Sequence, residues 1–153
     1  MAYEFKLEER ASQPTLTVRD RVTREELPAL FDRAFSSVIQ RMGELGEEPT
    51  GLAFAYYHDL DDMENPDIEA GFTVSRELEG DGDVKASTLP GGRYCTTLHV
   101  GPYEQLPEAW GAALDHVNAQ GLALNEYAVE FYITDPREVP PEEYETEIAL
   151  PLK

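Results

Sequence analysis

The feature that most constrains the fold is a repeat inside the chain. Laying Glu26-Leu-Pro-Ala-Leu-Phe31 over Gln105-Leu-Pro-Glu-Ala-Trp110 matches Leu27 with Leu106, Pro28 with Pro107, Phe31 with Trp110, Ala34 with Ala113 and Val38 with Val117, at a constant offset of 79. The strands after each helix also correspond: the spacing of Tyr56 and Asp59 recurs at Tyr132 and Asp135, and Asp67-Ile-Glu-Ala recurs as Glu145-Thr-Glu-Ile. Each half reads strand, helix, strand, strand, because its apolar period switches from two to about 3.6 and back. The expectation is a single α+β domain over 1–153, a duplicated strand-helix-strand-strand module related by a pseudo-twofold, with halves at about 15–76 and 84–153. Its antiparallel sheets would carry two main helices on one face and a ligand groove between the halves on the other.

In the first half, Thr15-Leu-Thr-Val-Arg-Asp-Arg-Val22 alternates apolar and polar residues and predicts a strand with one wet face. Thr23 and Glu26 have the spacing of a capping box, and Leu27, Leu30, Phe31, Ala34, Phe35, Val38, Ile39 and Met42 then form a helical stripe stopped by Gly43 and Gly46. Leu52–Tyr57 is an apolar strand, and the acidic run His58–Pro66 lacks the carboxylate spacing of a calcium loop, so it reads as a solvated hairpin loop.

In the second half, Tyr127-Ala-Val-Glu-Phe-Tyr-Ile-Thr-Asp135 is a continuous apolar run interrupted by Glu130. An unpaired carboxylate out of water costs several kcal/mol, roughly, so Glu130 must be neutralised, paired with an arginine such as Arg93 or with tyrosine hydroxyls, or held for a cationic partner. Taking Val129, Phe131 and Ile133 as the set under the helix sends Ala128, Glu130, Tyr132 and Thr134 to the other face. In the first half, Ala53, Ala55 and Tyr57 are then the helix-facing set. The groove would hold Glu130 among Tyr132, Phe54 and Tyr56, with Tyr103 and Tyr144 at its rim.

With 31 acidic against 12 basic residues the net charge is -19, a field that repels a phosphate backbone and draws cations; direct nucleic-acid binding is disfavoured. No apolar run reaches the roughly 20 residues of a membrane span, so no membrane association is expected and a cytoplasmic location is. The one cysteine, Cys95, reads as a small core residue, and no cofactor or metal is expected, for want of a phosphate loop, a ligand cluster or a Ser/His/Asp spacing. His99 reads as a turn histidine bonded to backbone, His58 and His116 as surface residues, Glu69 and Glu147 as cross-strand or solvent-facing carboxylates, and Trp110 as core.

Pro66-Asp-Ile-Glu-Ala-Gly71, Leu89-Pro-Gly-Gly-Arg-Tyr94, Leu98-His-Val-Gly-Pro-Tyr103, Val129-Glu-Phe-Tyr-Ile-Thr-Asp-Pro136 and Tyr144-Glu-Thr-Glu-Ile-Ala-Leu-Pro-Leu152 together resemble the GyrI-like effector-binding domain. That family also supplies the ligand-binding half of multidrug-sensing transcription regulators. The resemblance implies a pocket between the halves for hydrophobic, planar, often cationic small molecules, with the family's central acid falling on Glu130. Many relatives place a tryptophan immediately before that acid, where this chain has Val129. With no helix-turn-helix segment ahead of the module, the chain resembles stand-alone members that bind or sequester small molecules. Other members suggest two alternatives. One is a hydrolase of electrophilic cyclopropane-type toxins using Glu130; the other is a protein-interaction role such as gyrase inhibition. A monomer is expected, on the ground that the halves cover each other's sheet edges.

Overall fold

The computed structural model describes residues 3–48, 51–58, 64–135 and 137–153. In chain order the elements are β1 (Phe5–Arg10), β2 (Gln13–Arg21), α1 (Leu27–Glu44), β3 (Ala53–Tyr57), β4 (Asp67–Thr73), β5 (Lys85–Leu89), β6 (Gly92–Val100), α2 (Leu106–Ala119), β7 (Ala128–Tyr132) and β8 (Glu145–Pro151). Single 3-10 turns at Arg24–Glu26, Tyr103–Gln105 and Pro141–Glu143 lead into α1, α2 and β8. Among the described residues, eight strands, paired antiparallel within each unit, and two main helices make the fold α+β. Of the acidic run after β3, residues 59–63 lie outside the described residues.

The chain forms two compact units: Ala11–Gly91, and Gly92–Lys153 together with the N-terminal residues up to Arg10. The strand order is β3-β4-β2-β5 in the first unit and β7-β8-β6-β1 in the second. In both, the last strand of the repeated module lies between the other two, and an additional strand flanks the module's first. That additional strand is β5 in one unit and β1 in the other. The sequence pattern does not announce β1, because Phe-Lys-Leu-Glu-Glu-Arg offers only two apolar residues among charges.

In the first unit α1 buries Leu30, Ala34, Val38 and Met42. Phe35 meets Phe72 edge-on at 5.7 Å, which identifies the sheet face beneath the helix. The register then places Leu16, Val18, Ile68, Ala70, Ala53, Ala55 and Tyr57 on that face and Thr15, Thr17, Glu69, Phe54 and Tyr56 on the other. The expectation of a wet face on β2 fails at Thr15 and Thr17, which are 1% and 2% exposed. Each large aliphatic side chain so buried contributes about 1.5–3 kcal/mol.

In the second unit Ala109, Ala113 and Val117 of α2 are buried, as the repeat anticipates from Leu30, Ala34 and Val38. Phe5 stacks on His116 of α2 with ring centroids 4.2 Å apart, so His116 is a packed residue and not a surface one. From Phe5 the register runs to Thr97, Ile148 and Glu130. Glu130 therefore lies on the α2 side of its sheet, the reverse of the expected assignment. Val129 and Phe131 lie on the opposite side, where the Arg10 guanidinium is 5.6 Å from the Phe131 ring centre and 5.8 Å from that of Tyr94. Both faces of β7 are buried, so alternation of apolar residues could not distinguish them.

The helices end alike. Glu47 N–H donates to Met42 and Gly46 N–H to Gly43, and the same pattern joins Leu122 to Val117 and Gly121 to Asn118. Gly46 and Gly121 sit at φ 72° and 67°, a left-handed conformation that a side chain opposes. Gly43, three residues earlier in α1, has open space where a Cβ would stand. Gly43→Ala is expected to raise stability and Gly46→Ala to lower it, each by about 1 kcal/mol, as read from urea unfolding.

Candidate functional site

Glu130 is 5% exposed, and both of its carboxylate oxygens are engaged. Trp110 Nε1 donates to Oε1 at 2.7 Å and the Tyr132 hydroxyl donates to Oε2 at 3.0 Å. Tyr132 reaches it as the i+2 neighbour on the same face of β7. Trp110 reaches it from the second turn of α2, which Pro107 opens at an early position where a missing N–H costs nothing. Trp110 is thus half-buried with its indole N–H committed to Glu130, whereas the helical stripe alone assigns it to the core.

The tyrosines continue outward from this carboxylate. Tyr103, in the 3-10 turn before α2, meets Tyr132 edge-on at 6.0 Å and stacks with Tyr144 at 4.8 Å. Burial, then the proximity of Tyr144, Asp135 and Glu130, pushes the Tyr103 hydroxyl above its ordinary pKa. Negative potential at this spot opposes a second anion and favours a cation. The structure therefore brings together four of the six residues singled out from sequence: Glu130, Tyr132, Tyr103 and Tyr144. Trp110 is a fifth that sequence reasoning missed; its signal was the Trp in place of Phe31 at the repeat position.

Phe54 and Tyr56 belong to the first unit, on the face away from α1, and have a carboxylate of their own. Glu69, directly opposite Tyr56 in the register, is 5% exposed. It accepts from Thr17 Oγ1 at 2.7 Å and from His58 Nε2 at 2.8 Å, and Tyr56 stacks on His58 at 4.0 Å. Glu69 is not solvent-facing and His58 is not a free surface residue. Burial pushes the Glu69 carboxyl upward, but hydrogen bonds from His58, Ser87 and Thr17 outweigh it and hold the group below its ordinary 4.5. Glu147, at the corresponding place in the second unit, instead pairs with Arg10 at 2.7 Å.

His99 is fully buried, with Nε2 3.3 Å from the carbonyl of Pro102 and Nδ1 3.0 Å from the Tyr3 hydroxyl. Because a carbonyl only accepts, Nε2–H donates to Pro102, which leaves Nδ1 of the neutral ring to accept from Tyr3. The bond to backbone read from sequence is present for His99, but the residue lies in β6 and not in a turn; Cys95 is a buried free thiol. Among the described residues, no group of three or more His, Cys, Asp or Glu could hold a metal ion, and no helix is long and apolar enough to cross a membrane.

The chain matches the GyrI-like small molecule binding domain over residues 3–153. It superposes on EcmrR in the cryo-EM structure of the EcmrR–DNA complex in EcmrR-RPo with a TM-score of 0.85 at 23% identity, covering 99% of this chain and 57% of that one. It thus spans little more than half the length of that relative. On the crystal structure of the EcmrR C-terminal domain the TM-score is 0.79 at 23% identity, covering 100% and 99% of the two chains. On SAV2435 bound to tetraphenylphosphonium it is 0.67 at 14% identity, covering 98% and 94%. At these identities the structural likeness shows the fold. No curated protein matches the sequence.

Tyr132→Phe removes one donor from Glu130 without opening a cavity, and is expected to lower stability at pH 7 by about 1.5–3 kcal/mol, the range for a hydrogen bond to a charged group. Because the folded pKa of Glu69 is depressed, its contribution is present above 4.5 and is lost as pH falls through the folded value. The stability advantage of the native chain over Glu69→Gln should therefore shrink in urea titrations carried progressively below 4.5.

Proposed function

The chain belongs to the GyrI-like small-molecule-binding-domain family, and from that premise we propose that it takes up hydrophobic aromatic cations at the Glu130 cluster. The observation that carries this reading is a buried carboxylate with a donor on each oxygen, surrounded by Trp110, Tyr132, Tyr103 and Tyr144. The indole N–H can only donate, so Oε1 is an acceptor, and the Tyr132 hydroxyl meets the other oxygen.

Ring faces and a carboxylate recognise a hydrophobic cation in complementary ways. The rings replace water around the apolar shell and attract the charge through their quadrupoles, by about 0.5–2 kcal/mol each. The carboxylate supplies the countercharge where water screens it least. The net charge of -19 raises the local concentration of cations before any contact is made. That SAV2435, of the same fold, is bound to tetraphenylphosphonium supports this class of ligand.

Calorimetry at pH 7 with tetraphenylphosphonium and with neutral triphenylphosphine oxide tests the assignment. Glu130→Gln keeps the shape of the side chain and removes its charge. It is expected to weaken the cation by about tenfold or more while changing the neutral compound by less than about twofold. Equal losses for the two compounds, or no binding of the cation by the native chain, would overturn the reading.

A further inference from the structure

Within its unit β1 is a terminal strand, paired to β6 along one edge. Its residues are exposed in an unusual way: Leu7, apolar and 54% exposed, stands at the centre of a run that is otherwise charged after Phe5. Terminal strands with charged residues ordinarily resist pairing with other chains. Here the order of the charges disfavours the registers on either side of one centred on Leu7.

We propose that β1 joins β1 of a second copy of this chain in an antiparallel pair centred on Leu7. A twofold axis through a shared sheet edge makes the strands antiparallel and keeps every residue on its own face, so the axis must pass through a residue of the strand. Centred on Leu7, the pairing sets Leu7 against Leu7 and Lys6 against Glu8 of the second copy, twice by symmetry. Phe5 then falls opposite Glu9, and Glu4, just outside the strand, opposite Arg10. The two adjacent registers set like charges face to face. Centring on Lys6 opposes Lys6 to Lys6, and centring on Glu8 opposes Glu8 to Glu8 and Lys6 to Arg10. Directly opposed cross-strand pairs attract or repel by about 0.2–1 kcal/mol each, so the Leu7-centred register is selected against its neighbours.

The second unit prepares the acidic partner. Arg10 hydrogen-bonds Glu8 through Nε and Nη2, at 3.2 and 2.9 Å, and also pairs with Glu147. Glu8 is thereby fixed on the face away from α2, the face that Lys6 also occupies. The expectation of a monomer rests on covered edges, and β1 is not among the strands expected from sequence. Repulsion between two chains of net charge -19 is the opposing force, and at 0.15 M salt its reach shrinks to about 8 Å.

The test is light scattering after gel filtration of the chain, purified without an N-terminal tag, at pH 7 and about 0.15 M salt. The native chain should elute at twice its 17.2 kDa. Lys6→Glu and Glu8→Lys, each alone, place like charges opposite one another twice and should weaken association by about tenfold or more. In an equimolar mixture, a strand acidic at both positions, from Lys6→Glu, meets a strand basic at both, from Glu8→Lys. Both contacts are then again between opposite charges, and the double mass should return. A native chain that stays monomeric at every concentration, a dimer indifferent to Lys6→Glu, or a mixture that stays monomeric would overturn the proposal. Recovery in the mixture also shows that both variants are folded.

Discussion

Everything in the second unit is arranged around one carboxylate in a place where a carboxylate is expensive. Glu130 sits in the middle of β7 on the face that α2 covers, and leaving it unpaired there would cost several kcal/mol, roughly, against a total stability of about 5–15. The indole N–H of Trp110 and the hydroxyl of Tyr132 meet that cost with one donor to each oxygen. Both donors are rings, so the groups that satisfy the charge also present apolar faces beside it. A site for an aromatic cation needs that combination: a fixed anion, a dry surround and flat surfaces.

The duplicated module serves as an internal control. Glu147 and Glu69 hold the same register position, and counting from them Glu130 corresponds to Ala55 and Phe131 to Tyr56. The first unit thus has Ala55 where the second has Glu130, and Phe31 where the second has Trp110. Acid and indole occur together in one copy and are absent together from the other, as their hydrogen bond requires. The two equivalent glutamates have diverged as well: Glu147 pairs with Arg10, and Glu69 with His58 and Thr17. One backbone plan carries separate electrostatic arrangements.

The repeat and both helices were legible in the sequence because buried Ala, Leu and Val recur at helical spacing, and the end of α1 because Gly46 closes it with a left-handed turn; Gly43, read as a stop as well, lies inside α1. Glu130 was legible as a polar interruption in an apolar run. Its orientation was not: with Val129 and Phe131 buried on one face and Ala128 and Glu130 on the other, a strand covered on both sides carries no periodic signal. Trp110 looked like core because it replaces Phe31 in the helical stripe, and only the structure shows where its N–H goes. The link between His58 and Glu69 joins residues eleven apart in sequence that the antiparallel pairing of β3 with β4 brings together, so their proximity is a property of strand pairing and not of local spacing. β1 escaped because its two apolar residues sit among four charged ones.

On the proposed function, Glu130 and Trp110 form one unit at which a cation arrives. Trp110 is the single tryptophan of the chain, so its indole N–H gives one resonance in a proton–nitrogen correlation spectrum. This resonance should lie at the low-field position of a proton donated to a carboxylate, move upfield in Glu130→Gln, and shift progressively as tetraphenylphosphonium is added to the native chain. An indole signal that ignores both the substitution and the cation would contradict it.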